Sequence, residues 1–176
     1  MPTTSKSDVE RLADDFLTVS QSEIVEYVTT SGTLGDPLVI ALTKKDQERL
    51  AYNESRALAI AGVTNEDVIQ ITTTLDKRFM AGMAYYLGAT ALGAAVIRSG
   101  IGDMDFQIDN MLRFKPTVLI AVPSFVYKLS EYMRAKGIDP NSTSVAKIIC
   151  IGEPIRGLDF VPNTLHEKIT NNWKVY

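Results

Sequence analysis

The sequence predicts an α/β fold, a mostly parallel sheet with flanking helices. Three observations predict it. From residue 67 onward, short apolar runs alternate with helical patterns, and such alternation builds a parallel sheet with right-handed crossovers. Residues 117–122 (TVLIAV) form an apolar run, as a central strand covered on both faces requires. Upstream, a Gly/Ser/Thr-rich loop, residues 29–37 (TTSGTLGDP), separates two apolar runs at 24–28 and 38–42, the pattern of strand–loop–strand.

Each element follows from its residues. The first 20 residues carry polar helix signals with little to pack against. Thr43-Lys44-Lys45-Asp46 reads as a capping box that opens a helix to about Ala61, closed by Gly62. Residues 67–73 (DVIQITT) read as a strand, 79–92 as a helix with small residues along it, and 94–99 (AAVIRS) as a strand. Residues 103–114 read as an amphipathic helix, with Phe106, Ile108, Met111 and Leu112 at near-helical spacing. Residues 124–136 form the next predicted helix, with Ser124 at its N-cap and Gly137 at its end. A buried strand at 146–151, a helix at 158–171 and the opening of a further strand at 174–176 complete the pattern.

Composition narrows the function classes. At 176 residues and 45 % hydrophobic content the chain can bury one core of its own. The net charge is −3, both signs are mixed, and there is no basic stripe; no nucleic-acid partner is expected. The longest apolar stretch, 81–97, holds three glycines and two tyrosines and falls short of a membrane span. The polar opening carries no signal-peptide pattern. Cys150 is the one cysteine, so no internal disulfide framework is expected, and it reads as inert core. His166 is the one histidine, among polar neighbours, and no zinc site or other metal ligand is expected. These features read as a cytoplasmic domain.

Chemistry concentrates in loops. In the stretch from Thr29 to Pro37, two glycines allow unusual backbone conformations, and three threonines and a serine add hydroxyl donors. Successive N–H groups in such a turn can form an anion-binding concavity, or the loop can be a plain hairpin turn. It is not a Walker A loop, since G-x-x-x-x-G-K-[ST] is absent and Asp36 stands near its end. Pro123 and Ser124 lie at a strand-to-helix junction, where open parallel sheets bind ligands. Gly100-Ile101-Gly102 also follows a strand, but Asp105 stands where a third glycine would complete a dinucleotide fingerprint.

Taken in order, these pieces resemble the phenylacetate–coenzyme A ligases of the adenylate-forming acyl-CoA synthetase superfamily. The resemblance runs over nearly the whole chain. It begins with Pro2-Thr3-Thr4-Ser5-Lys6-Ser7-Asp8 and the loop Thr30-Ser31-Gly32-Thr33-Leu34-Gly35-Asp36-Pro37, followed by Thr43-Lys44-Lys45-Asp46. It continues through Phe79, Gly82, Gly88, Leu92-Gly93-Ala94 and Val96-Ile97, then Phe114-Lys115-Pro116 and Val122-Pro123-Ser124. Gly137-Ile138-Asp139-Pro140, Ser142-Thr143-Ser144 and Glu153-Pro154 close the series. The order and spacing are more specific than any single piece.

The resemblance implies an enzyme that joins a carboxylic acid to ATP, giving an acyl-adenylate and pyrophosphate, then passes the acyl group to coenzyme A. It implies that Thr30, Ser31, Gly32, Thr33 and Gly35 hold the β,γ-phosphates, with Mg²⁺ sharing the charge. Asp36 departs from the lysine that many members carry. Gly152, Glu153 and Pro154 correspond to a segment that contacts the adenine, with Ile151 replacing the usual glycine. Phe79, Gly82 and Met83, with Pro123 and Ser124, fall where the family lines its acid pocket. The preceding Leu75-Asp76-Lys77-Arg78 differs from the phenylacetate enzymes. The acid is therefore left open between aryl and fatty classes.

No aromatic-x-x-[ST]-E motif, ribose-binding aspartate segment or lysine-bearing C-terminal domain appears in the 176 residues. The expectation is that residues 1–176 are part of the large N-terminal AMP-binding domain, with no catalytic residue of their own and no adenylation alone. The alternatives are a stand-alone nucleotide-binding or vestigial regulatory domain, and an acyl-protein synthetase that shares the first half-reaction. An open sheet edge predicts homo-oligomers.

Overall fold

The computed structural model describes residues 3–11, 13–30 and 37–175. The chain opens with a short helix, α1 (Lys6–Arg11), that buries none of its residues. A hairpin of β1 (Ile24–Thr29) and β2 (Val39–Thr43) follows, paired antiparallel with a register shift between Ile24 and Glu26. Then come α2 (Lys44–Ile60), β3 (Val68–Ile71), α3 (Met80–Leu92), β4 (Ala95–Arg98), α4 (Met104–Phe114), β5 (Val118–Ala121), α5 (Pro123–Ala135), β6 (Lys147–Cys150) and α6 (Thr164–Asn172). The last four strands form one parallel sheet in the order β4-β3-β5-β6. The predicted α/β class and parallel sheet are what the chain adopts.

The sheet is covered on both faces, and β5 shows why its sequence is apolar throughout. Val118 and Ile120 join Leu58 of α2, Ala89 of α3 and Ile69 and Ile71 of β3 on one face. Leu119 and Ala121 join Ile108 and Met111 of α4, Val126, Leu129 and Met133 of α5, and Ile169 and Trp173 at the end of α6 on the other. Successive side chains of a strand point to opposite faces, so a strand between two helical layers needs apolar residues at every position. Gln70 of β3 breaks the apolar rule on the α4 face. Its buried amide donates to Gln107 Oε1 at 2.7 Å, and Gln107 Nε2 donates onward to the Gly100 carbonyl at 3.0 Å.

At the N-terminal edge of the sheet Asp67 fastens three strands. It accepts hydrogen bonds from the Thr117 hydroxyl at 2.7 Å, the Thr64 amide at 2.8 Å and Lys147 Nζ at 3.2 Å. Burial pushes its carboxyl up, but the Thr117 and Thr64 bonds and the Lys147 charge outweigh that and hold it below the usual carboxylate range.

Several boundaries differ from expectation. The Thr43–Asp46 capping box forms as read: the Thr43 hydroxyl accepts from the Asp46 amide and Asp46 accepts from Thr43 N. The helix expected from 124 begins instead at Pro123, whose missing N–H suits a first helical position; Val122 is its N-cap and Ser124 has another partner. The helix expected from 158 begins at Thr164, because Asn163 Oδ1 accepts from the Leu165 and His166 amides, both at 3.0 Å. In α4 the buried face is Gln107, Ile108, Asn110 and Met111, while Phe106 and Leu112 are exposed. A side-chain amide that finds partners can be buried, which an apolar-only reading misses. Strand β6 is half-buried along its length, Cys150 included, as an edge strand would be. Lys174 and Val175 form no strand; the Lys174 amide donates to Asn141 Oδ1 at 2.7 Å. Tyr176 lies outside the described residues.

Candidate functional site

The C-terminal edge of the parallel sheet carries the site. Four loops leave the strands there, and a crevice at such an edge is where open α/β sheets bind ligands. Two adjoining hollows lie among these loops. The first is an apolar cavity of about 280 Å³, lined by Thr72, Thr73, Thr74, Phe79, Ile101, Val122, Phe125, Ile151 and Gly152. The second is a more polar cleft of about 360 Å³, lined by Thr74, Leu75, Asp76, Lys77, Ser99, Gly100 and Ile101. Thr74 and Ile101 wall both.

Most of the polar side chains around the cavity are fixed by neighbours. Ser124 and Glu153 join the loops after β5 and β6: the Ser124 amide donates to Glu153 Oε2 and its hydroxyl donates to Oε1, both at 2.9 Å. Both carboxylate oxygens are thus engaged, and Glu153 is held in one orientation at the rim. Gly152 has φ +78°, a backbone conformation closed to most side chains. Pro154 accepts through its carbonyl from Asn163 Nδ2 at 2.8 Å, so the residue that caps α6 also anchors this loop. The Thr72 hydroxyl donates to the Ile120 carbonyl at 3.1 Å. The Thr73 hydroxyl is buried and has no partner among the described residues. Burial, with the Glu153 charge behind it, pushes the Cys150 thiol up, which keeps it protonated and a poor nucleophile.

The neck of the glycine-rich loop lies beside this cavity. It is closed at Thr30, whose amide donates to the Leu38 carbonyl at 3.0 Å and whose hydroxyl accepts from the Leu38 amide at 3.0 Å. Thr29 donates to the Arg78 carbonyl at 2.9 Å and bridges to Phe79 in parallel. The neck is therefore tied to a wall of the apolar cavity. Ser31, Gly32, Thr33, Gly35 and Asp36 lie outside the described residues.

The remaining expected residues divide. Phe79 lines the cavity and is the N-cap of α3. Gly82 and Met83, one turn on, are not among its lining residues. Gly82 instead lets α3 lie directly on the preceding loop, since a Cβ there would stand 2.0 Å from the Thr74 carbonyl oxygen. Pro123 is buried under the rim. Sequence reasoning did not single out Thr72, Thr73, Thr74, Val122 or Phe125 as cavity residues, nor Ile151 beyond its departure from the family pattern. Ile101 entered only through an incomplete dinucleotide motif. The signal that could have found them was position, since each lies at or just after the C-terminal end of a predicted strand. Among the described residues no group of three His, Cys, Asp or Glu gathers to hold a metal ion, and no helix is long and apolar enough to cross a membrane.

No protein-family model matches the chain. The phenylacetate-coenzyme A ligase of Pseudomonas putida is 28 % identical over 154 residues, 87 % of this chain and 35 % of the relative. That of Escherichia coli (strain K12) is 29 % identical over 155 residues, again 87 % of the chain and 35 % of the relative. Among solved structures, a 2-hydroxyisobutyryl-CoA ligase in complex with 2-HIB-AMP and CoA superposes with a TM-score of 0.86 at 20 % identity, covering 99 % of this chain and 37 % of that one. A long-chain-fatty-acid-CoA ligase from Archaeoglobus fulgidus gives 0.62 at 19 % identity, covering 84 % and 27 %. The chain shares the fold of the matching parts of these CoA ligases. The chain is a sequence relative of the phenylacetate-coenzyme A ligases and spans about a third of their length.

Proposed function

We propose that the chain is part of the large AMP-binding domain of an ATP-dependent carboxylic acid–CoA ligase. The observation that supports this best is the joining of the glycine-rich loop's neck, through Thr29, Arg78 and Phe79, to an apolar cavity at the C-terminal edge of the parallel sheet. In this reading Thr30, Ser31, Gly32, Thr33 and Gly35 hold phosphates through N–H and hydroxyl donors. Gly152, Glu153 and Pro154 face the nucleotide base, Glu153 being oriented by Ser124. Phe79, with the β5–α5 turn at Pro123 and Ser124, borders the site of the acid. Gly82 and Met83 act from behind it, Gly82 by close packing.

The chemistry asked of these residues is positioning. The acid's carboxylate must meet the α-phosphorus of ATP while charge moves onto the departing pyrophosphate, and preorganised donors favour that charge. An apolar cavity keeps water from the acyl-adenylate. Coenzyme A supplies the thiol that accepts the acyl group in the second half-reaction. Among the described residues no three His, Cys, Asp or Glu side chains gather where Mg²⁺ could be held.

The chain spans 35 % of the first relatives' length, and the proposal is that these residues alone bind ATP without completing adenylation. Calorimetric titration with ATP, paired with an assay of acid-dependent pyrophosphate release, tests this. The expected result is saturable one-to-one binding with no release. Absence of ATP binding contradicts the nucleotide site, and release by these residues alone contradicts the partial-domain reading.

A further inference from the structure

We infer that Lys77 and Arg78 form a cationic clamp for the polyphosphate of the nucleotide, at the junction of the glycine-rich loop and the acid cavity. The inference rests on the nucleotide reading above and adds the charge that reading lacks.

The backbone singles these residues out. Lys77 has φ +55° and Arg78 φ +61°, two consecutive non-glycine residues in the left-handed region. L-residues avoid that region because Cβ crowds the following carbonyl, and pairs of them are rarer still. Strain of this kind persists only where surrounding contacts impose it, and it clusters at ligand sites. The contacts are visible on both sides. Thr74 donates its hydroxyl to Asp76 ahead of the turn, and the Arg78 carbonyl accepts from Thr29 after it, at 2.9 Å. The turn is therefore stapled to the loop neck one residue before Thr30.

The charge distribution gives the turn its use. Lys77 lines the polar cleft, which shares Thr74 and Ile101 with the apolar cavity. Both cations are exposed, and neither makes an ion pair among the described residues. The loop whose neck they adjoin carries one ionisable residue between Thr30 and Pro37, the carboxylate of Asp36. A polyphosphate held by that loop alone would meet neutral donors and a negative charge. Charge-assisted bonds from a lysine and an arginine fixed beside the neck meet the need, the ammonium as a point charge and the guanidinium as a fork.

The test uses the intact chain, inorganic tripolyphosphate as the anionic probe and adenosine as the neutral one. Lys77→Gly and Arg78→Gly remove a cation while supplying the residue that the left-handed turn favours, so each variant should fold with unchanged or raised thermal stability. Each is expected to weaken tripolyphosphate binding about tenfold, the loss of one charge-assisted contact. Lys77→Arg should retain most of the affinity, and adenosine binding should be unchanged in all variants. Wild-type tripolyphosphate binding should weaken with added salt. Undiminished tripolyphosphate binding by both glycine variants would overturn the clamp. So would wild-type chain that binds adenosine but no tripolyphosphate, which leaves the nucleotide reading standing. If wild-type chain binds neither probe, both inferences fall together.

Discussion

Replacing Gly82 with alanine is the sharpest structural test of how the cavity is built. The new Cβ would stand 2.0 Å from the Thr74 carbonyl oxygen, 3.0 Å from its carbon and 3.2 Å from Leu75 Cα. All three are backbone atoms, so no side chain can turn away to make room. Helix propensity alone favours alanine by about 1 kcal/mol. Forcing a methyl into a fitted contact costs about 1–3 kcal/mol or more, and an overlap with backbone this severe belongs at or above the top of that range. The balance is a loss of about 2 kcal/mol. For a domain of this size that corresponds to a fall of about 4–8 °C in Tm, read by thermal and urea unfolding. Gly137→Ala is the control. Its φ is +76° but nothing lies within 4 Å of the added Cβ, so only backbone strain of about 1 kcal/mol is expected. Because Thr74 walls both hollows, Gly82→Ala should also weaken ATP binding, whereas Gly137→Ala should not. A Gly82→Ala protein as stable as wild type would refute the claim that α3 rests on the Thr74–Leu75 backbone.

Other consequences follow from the same contacts. Asp67 titrates below its unfolded value of about 3.9, so its contribution is fully present above that value and disappears as pH falls through the lower folded value. Asp67→Asn should cost about 2 kcal/mol at pH 7, and the gap to wild type should close on acidification below about pH 4; a gap independent of pH would contradict this. Glu153→Gln replaces one carboxylate oxygen by an amide that cannot accept from Ser124, and should cost about 1 kcal/mol with a larger loss in ATP affinity; equal affinity in the two proteins would remove Glu153 from the site. Strands β4 and β6 have no outer neighbour among the described residues, so the chain should self-associate through an open edge; a monomeric light-scattering profile at high concentration would count against it.

Much of this architecture was legible because local and global signals agree. The run TVLIAV marks a strand covered on both faces, and the Thr43–Asp46 box marks the start of α2 where it forms. At Ser124 and Gln107 the deciding partner lies far away in sequence. Ser124 looks like a helix cap until Glu153, 29 positions on, is seen to take its hydroxyl. Gln107 looks like a surface residue until Gln70, 37 positions away, is seen to donate to it. The start of α6 slid to Thr164 because Asn163 accepts from two amides there, while Asp159 accepts from the Val161 amide in a turn and Leu158 lies fully in solvent. The cavity walls were hidden for a different reason. Threonines and isoleucines at strand ends carry no motif, and only the parallel topology brings the ends of β3, β4, β5 and β6 to one edge.

The most direct test of the central claim is a titration of ¹⁵N-labelled chain with ATP, followed by amide chemical shifts. The account predicts saturable shifts grouped at one edge of the sheet: Thr30 to Gly35, Thr72 to Phe79, and Ile151 to Glu153. Amides at the opposite edge, around Asp67, Thr117 and Lys147, should stay fixed. Shifts centred on that opposite edge, or none at saturating ATP, would contradict a nucleotide site at the C-terminal ends of the strands.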